Sequence, residues 1–403
     1  MSTPDRPPAD TVQAFNRERV LTALHAGQAV NRAELGRVTG LARSTVTRIV
    51  GDLLGDGVIV ERPAPNPSVP RGAGRPAVLL ALAPRTDLVV AIDFGHSHCR
   101  VGVADSSAAI IAESSIVLDV DASADRALRH ATANVVELLD RLGSRRTQVI
   151  GAAIGIPAPL DLATGAVGSG SILPGWINRR PAEELQRALK LPVVIDNDAN
   201  LGALGEARFG AARGYADVIY VKVSTGIGAG LILDGHVYRG STGRAGEIGH
   251  VPVDPNGALC RCGNRGCLET VAAVGPVLNL VQPGHGGHLT LDALVRMTQA
   301  GNPGVIRVLD DTGRTLGRVL ADMVNSMNPA ALIIGGEFSL AGKPFLAGVR
   351  ESLHRFAQPD IVRSLHVSTA QLGDRAELLG AAALALERLG VGHQSEPSRG
   401  RVG

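Results

Sequence analysis

The hydrophobic positions change period once along the chain, and the change divides it into two regions. Near the N-terminus the period is helical. Val20, Leu21 and Leu24 share one face, and Val46, Ile49, Val50, Leu53 and Leu54 keep the i, i+3, i+4, i+7, i+8 spacing of a buried stripe. Between them Asn31 and Glu34 form a capping pair, which predicts a short helix over Arg32–Val38 with Gly40 as the turn after it. Asp56 and Gly57 end the next helix. The runs Val58–Arg62 and Ala77–Leu82 then read as strands on either side of the loop Pro63–Pro76. Three helices followed by a hairpin make a winged helix-turn-helix.

From Leu88 onward, continuous apolar runs replace the helical stripe. Leu88–Asp93, Arg100–Asp105, Ile110–Leu118, Val149–Ile156, Val193–Asp196, Val218–Val223 and Ala331–Ile334 read as strands, and Ala124–Leu142 as a helix. Strands that open as hairpins and then alternate with helices predict a mixed sheet covered on both faces. The series starts at Leu88 and again at Val218, so two lobes with a cleft between them are expected. The reading is therefore an α/β chain with a winged helix-turn-helix over 11–83 and a two-lobed body over 84–390. The tails, 1–10 and 391–403, lack apolar periodicity and are expected to be disordered.

Composition and charge sharpen this picture. Hydrophobic residues make up 45% of the 403 positions but aromatics only 2%, so the cores must be built from aliphatic side chains. No run of about 18 apolar residues is present, which excludes a membrane-spanning helix. The polar, Pro-rich start has no apolar signal segment, so a cytoplasmic location is expected. The net charge of +2 is unevenly spread: residues 11–90 carry +4, while the first ten residues and everything after 90 carry −1 each. A basic head on a near-neutral body fits a nucleic-acid partner, here double-stranded DNA. Arg43, Ser44, Thr45, Thr47 and Arg48 lie off the buried stripe near the start of the third helix, where they can reach base edges and phosphates. Ala42 stands where a Ser cap is expected. Arg71 and Arg75 sit in a glycine-flanked loop that suits a minor groove. A three-helix module that binds protein is the other reading of the same pattern.

Four groups of residues in the body carry chemistry. His250-x9-Cys260-x-Cys262-x4-Cys267 offers one imidazole and three thiolates, the donor set of a closed tetrahedral zinc shell. In a reducing compartment, cysteines so clustered read as ligands rather than disulfides. With no position left for water, that Zn2+ would be structural. Second, Asp196-Asn197-Asp198-Ala199-Asn200 ends a buried strand, where ligands bind in α/β sheets. Asp198 there could take a proton from a hydroxyl, or the stretch could simply cap the next helix. Third, Glu247 and Glu269 flank the metal motif, so a metal would set their aim, and with Asp198 they would make an acceptor-rich pocket for a polyhydroxylated ligand. Last, the glycine-rich turns at Ser224–Gly230 and Gly335-Gly336 could meet phosphate or nucleotide.

These motifs together resemble the ROK family (repressors, open reading frames, kinases), within the actin-like ATPase and sugar-kinase fold. The resemblance rests on Cys260-Arg-Cys262-Gly-Asn-Arg-Gly-Cys267-Leu-Glu269, Gly246-Glu-Ile-Gly-His250, Asn197-Asp-Ala-Asn200, Gly155-Ile-Pro157 and Leu173-Pro-Gly-Trp176. The Gly-Arg75-Pro76 wing is similar to that of the family's repressor branch. The resemblance implies that Asn197, Asp198, Glu247, His250 and Glu269 hydrogen-bond a sugar, and that Asp198 is the general base in members that are kinases. It implies a second phosphate loop at Thr225, Gly226 and Gly228, and an adenosine contact at Gly335 and Gly336. The departure is in the first phosphate loop. ATP-using members resemble Asp-x-Gly-Gly-Thr there, whereas this chain has Asp93-Phe94-Gly95-His96-Ser97-His98. Asp93 and Gly95 remain, Ser97 could stand in for the threonine, and the His96 imidazole is expected to crowd a phosphate. The sugar half is thus expected to be intact and the half for ATP and Mg2+ damaged. The function expected is a DNA-binding transcriptional regulator of carbohydrate metabolism, a repressor. It would be a homo-oligomer, dimer or tetramer, with a sugar or sugar phosphate as effector. The enzyme alternative is an ATP-dependent sugar kinase with an appended DNA-binding domain.

Overall fold

The structure is a computed structural model that describes helical positions at 16, 17, 19–21, 23 and 24, and residues 31–55, 58–63, 78–82, 87–143, 146–161, 163–168 and 172–390. The chain divides into two compact units, Met1–Thr86 and Asp87–Gly403. The two expected tails, and the wing residues Arg71 and Arg75, lie outside the described residues.

In the first unit, α1 (Arg32–Thr39) starts where the sequence places it. The Asn31 side chain accepts the Glu34 N–H at 2.9 Å, and Gly40 closes the helix in the left-handed region. Only half of the expected capping box forms, because the Glu34 carboxylate turns to Arg37 instead. In α2 (Arg43–Gly55) the residues Val46, Ile49, Val50 and Leu53 are buried. Together with Val20, Leu24, Leu35, Ile59 and Leu80 they form an aliphatic core. β1 (Ile59–Pro63) and β2 (Val78–Leu82) pair antiparallel as the hairpin.

The second unit contains the expected duplication. One sheet comprises β3 (Leu88–Phe94), β4 (His98–Ala104), β5 (Ile110–Val117), β6 (Val149–Ile156) and β7 (Val193–Asn197), in the order β5-β4-β3-β6-β7. The other comprises β8 (Val218–Val223), β9 (Ile227–Leu233), β10 (His236–Tyr238), β11 (Ala331–Gly335) and β12 (His366–Thr369), in the order β10-β9-β8-β11-β12. In both, an antiparallel meander of three strands is extended by two parallel strands. The sheets are mixed, as the alternation predicts.

The helices α3 (Ala124–Arg141), α4 (Pro181–Leu189), α5 (Asp198–Phe209), α6 (Glu269–Ala272), α7 (Val274–Val281), α8 (Leu291–Gln299), α9 (Pro303–Met327), α10 (Lys343–Phe356), α11 (Pro359–Ser364) and α12 (Ala376–Leu389) complete the body. The outer face of the first sheet packs on α3 and α4, and that of the second on α7 to α10. Each inner face is covered by the other lobe's helix. α5 leaves β7 and packs Ala203 against Tyr220, Ile232 and Ile333 of the second sheet. α12 leaves β12 and packs Leu378 and Ala381 against Val89 and Ala91 of the first. The two helices also cross each other in close contact. A Cβ on Gly380 would fall 1.8 Å from the Leu201 carbonyl oxygen, so only glycine allows this backbone approach. The crossed helices form the layer on which the two lobes meet, and both helix N-termini open into the cleft.

Candidate functional site

The cleft holds a cavity of about 570 Å³ lined from both lobes. Its floor is the start of α5. Asp196, next to the last residue of β7, has one oxygen accepting from Asn200 Nδ2 (2.8 Å) and the other held by the Arg239 guanidinium (2.6 and 2.9 Å). Asn197 is the N-cap of α5: its Oδ1 accepts from Ala199 N at 2.9 Å, and its Nδ2 donates to the Ala158 carbonyl at 3.3 Å. Capping and lining the cleft are therefore combined in one residue. Asp198 is buried. Its Oδ1 accepts from Ala199 N at 2.9 Å, and its Oδ2 from the Lys222 ammonium at 2.8 Å.

Lys222 was not among the residues with an expected role, although it is one of only three lysines in the chain. It also pairs with buried Glu377, at 3.0 Å, in the first turn of α12. Burial opposes the lysine charge, but the carboxylates of Asp198, Glu377 and Asp93 prevail and hold the ammonium well above its ordinary range. Burial raises the Glu377 carboxyl in turn.

On the second lobe's side, Glu247 opens a short turn that ends at His250. Burial, then the nearby Asp198 and Glu269 carboxylates, push Glu247 up to about 7. His250 faces two ways: Nδ1 lies 3.6 Å from Cys260 Sγ, and Nε2 lies 3.6 Å from Glu247 Oε2. The Sγ atoms of Cys262 and Cys267 are also 3.6 Å apart, and the four candidate ligand atoms of His250, Cys260, Cys262 and Cys267 all lie within 4.8 Å of one another. A tetrahedral shell with metal–sulfur bonds of about 2.3 Å has edges of about 3.7 Å, so the cluster is able to hold a metal. Gly266 makes the loop possible. It has φ +58°, and a Cβ there would fall 1.6 Å from the Asp254 carbonyl oxygen. Glu269, buried at the start of α6, meets Arg261 at 3.5 Å, a second cleft residue that the sequence reading did not single out.

The two phosphate-loop candidates differ. Thr225 and Gly226 line the cleft in the turn between β8 and β9, with Gly228 just inside β9, and Gly336 abuts that turn, where the Ser224 hydroxyl accepts from Glu337 N at 3.2 Å. Gly335 is closed off by the Tyr220 ring, which a Cβ there would meet at 2.3–2.6 Å. In the turn between β3 and β4 the crowding residue is not the expected one. His96 turns aside to Asp121, with Nδ1 2.8 Å from Oδ1. It is the His98 ring that lies over Gly95, so close that a Cβ on the glycine would fall 2.2 Å from it. His98 Nε2 is 3.0 Å from buried Asp93, whose carboxyl it holds low against the opposing effect of burial. A histidine two positions further on thus fills the space, because β4 brings it back over the turn.

In the first unit, Arg43, Ser44, Thr47 and Arg48 are exposed on α2 and Thr45 is half-buried. The Thr47 hydroxyl donates to the Arg43 carbonyl at 2.8 Å.

The family model described as ROK family matches residues 89–388. The chain belongs to the ROK family. It is similar to the xylose repressor of Bacillus subtilis (strain 168), at 29% identity over 93% of this chain and 96% of that protein. The solved structure of a ROK family transcriptional regulator, a homologue of the E. coli MLC protein, has a TM-score of 0.80 at 25% identity, covering 94% of this chain and 97% of that one. The ROK family glucokinase of Streptomyces griseus, solved with glucose and AMPPNP, has a TM-score of 0.66 at 29% identity and covers 99% of its own chain but 74% of this one. The regulators match almost end to end, whereas the kinase matches only part of the chain. Among the described residues, no helix of this ROK protein is long and apolar enough to cross a membrane.

Proposed function

We propose that this ROK protein is a DNA-binding transcriptional regulator of carbohydrate metabolism, a repressor whose body binds a sugar or sugar phosphate. The observation that carries this is coverage: ROK regulators extend over the winged helix-turn-helix, and the kinase leaves about that much of the chain unmatched. Arg43, Ser44, Thr45, Thr47 and Arg48 read the DNA, with Arg71 and Arg75 in the adjacent minor groove. The domains span 11–83 and 84–390. The protein works in the cytoplasm as a homodimer or tetramer on a palindromic operator.

In the body, Asn197, Asp198, Glu247, His250 and Glu269 hydrogen-bond the sugar. His250, Cys260, Cys262 and Cys267 hold a structural Zn2+, which braces the loop carrying Glu247. With Nδ1 given to the metal, the His250 Nε2–H remains to orient Glu247 and the ligand, so one residue serves both tasks. Ligand binding changes operator affinity to the extent that it favours one arrangement of the lobes over the other. Asp93, Gly95, Thr225, Gly226, Gly228, Gly335 and Gly336 are relics of a nucleotide half whose first loop is filled by His98. Calorimetry with D-xylose and D-glucose, run beside a coupled ADP-release assay with Mg-ATP, tests the reading. Sugar binding without ADP release is expected; turnover would make the protein a kinase.

A further inference from the structure

We propose that Lys222 is the resident cation of the cleft: its ammonium stands where a divalent metal would neutralise the floor carboxylates, and it fixes Asp198 as a hydrogen-bond acceptor for ligand rather than as a proton acceptor. The second half of this inference rests on the sugar-site reading above; the first does not.

Lys222 and Tyr220 lie two apart on β8 and face the crossed helices together. The ammonium touches a carboxylate from each helix: Asp198 Oδ2, the first residue of α5, at 2.8 Å, and Glu377 Oε1, the second residue of α12, at 3.0 Å. A third carboxylate, Asp93 of β3, is buried beside them and bears on the same charge. Its Oδ2 meets His98, and its Oδ1 has no hydrogen-bond partner. Three buried carboxylates stay ionised together only with positive charge beside them; without it they would take up protons. Two carboxylate oxygens, of Asp198 and Glu377, meet at the ammonium with Asp93 behind them; oxygens so placed are what Mg2+ or Mn2+ takes, and a compact ammonium fills such a point as a metal ion does.

The residue type supports this. The chain has 40 Lys and Arg, yet lysine occurs only at Lys190, Lys222 and Lys343. Where nearly every cation is a planar arginine fork, this one is the point charge. Arginine would supply the same charge, but as a planar fork suited to bidentate pairing rather than to a single point between two carboxylates.

The consequence for ligand is specific. Asp198 has one oxygen held by Ala199 N and the other by Lys222, so its carboxylate plane cannot turn. It can still accept a hydroxyl, since a carboxylate has about four acceptor sites. The lone pair facing the lobe junction is already committed. The cleft therefore takes a polyol without a metal.

The test is Mn2+ titration of the zinc-loaded protein, wild type against Lys222→Met. The variant is expected to bind one Mn2+ at least about tenfold more tightly than the wild type, as vacated carboxylates would. Adding Glu377→Gln should remove that gain, and Lys222→Arg should show none. If wild type and a folded Lys222→Met titrate alike, the proposal is overturned. Should Lys222→Met fail to fold, the wild type carries the test by water-proton relaxation: a tight Mn2+ site that disappears in Asp198→Asn would overturn it, and no such site is expected. A wild type that binds neither D-xylose nor D-glucose would remove the sugar-site reading and with it the role given to Asp198, while the Mn2+ result would still decide the resident cation.

Discussion

The turn between β3 and β4 and the turn between β8 and β9 occupy the same place in two sheets of the same strand order, yet they have become different things. Each joins the first two strands of its lobe and faces the cleft. The second turn is small side chains and bare backbone, with Gly226 in the turn and Gly228 at the start of β9 both lining the cleft. The first is closed by an imidazole that lies on Gly95 and bonds Asp93. The fold tolerates either, because sheet order depends on the buried aliphatic strands and not on the turn. What the turn holds decides what the cleft can hold.

The largest effects are expected in the second lobe. If the His250 and cysteine cluster holds the proposed metal, chelation, or replacing buried Cys267 by Ser, should release the loop that carries Glu247 and lower sugar affinity about 100-fold, measured by calorimetry. The first unit should keep its own unfolding transition. Sugar affinity untouched by chelation would detach the metal from the ligand site. Next, Asp198→Ala and Glu247→Ala should each abolish the response to sugar while leaving DNA binding intact. Regulation surviving both would reduce the body to a scaffold for oligomerisation.

A smaller effect sharpens the contrast between the turns. His98→Gly should clear the space over Gly95 and raise affinity for a fluorescent ATP analogue by about tenfold, a gain of about 1.4 kcal/mol. His96→Gly alone should do little, since that ring already points to Asp121. The reverse result would return the crowding to His96. The smallest effect belongs to the first unit: Asn31→Ala removes the cap of α1 and should cost about 1 kcal/mol in thermal or urea unfolding.

Much of this architecture can be read in the sequence, for identifiable reasons. The strand Val149–Ile156 is an unbroken run of aliphatic residues and glycine, and Val218–Val223 is rich in β-branched residues despite Tyr220 and Lys222; both are short, as strands are, and they fold as read. The His250, Cys260, Cys262 and Cys267 cluster is local, with four candidate ligands within eighteen residues, so spacing alone points to a group able to hold a metal. What could not be read is long-range. The exchange of α5 and α12 between lobes depends on sheet faces rather than on local pattern. Lys222 meets Glu377 across more than 150 residues, and nothing in either neighbourhood announces the pair. Placing His98 over Gly95 needs the β4 register, which returns the chain above the turn. The Lys222 signal was nevertheless present, as a rare lysine in an arginine-rich chain.

Fluorescence anisotropy reads out whether sugar bound in the cleft changes how this ROK protein holds DNA, as proposed. A duplex selected by the protein from a random pool would be titrated with and without saturating D-xylose or D-glucose, for the wild type and for Asp198→Ala. A shift in DNA affinity of at least about tenfold for the wild type, 1.4 kcal/mol of coupling, and none for Asp198→Ala, is the result expected. Binding curves that superimpose for the wild type, with calorimetry showing the sugar bound, would contradict it.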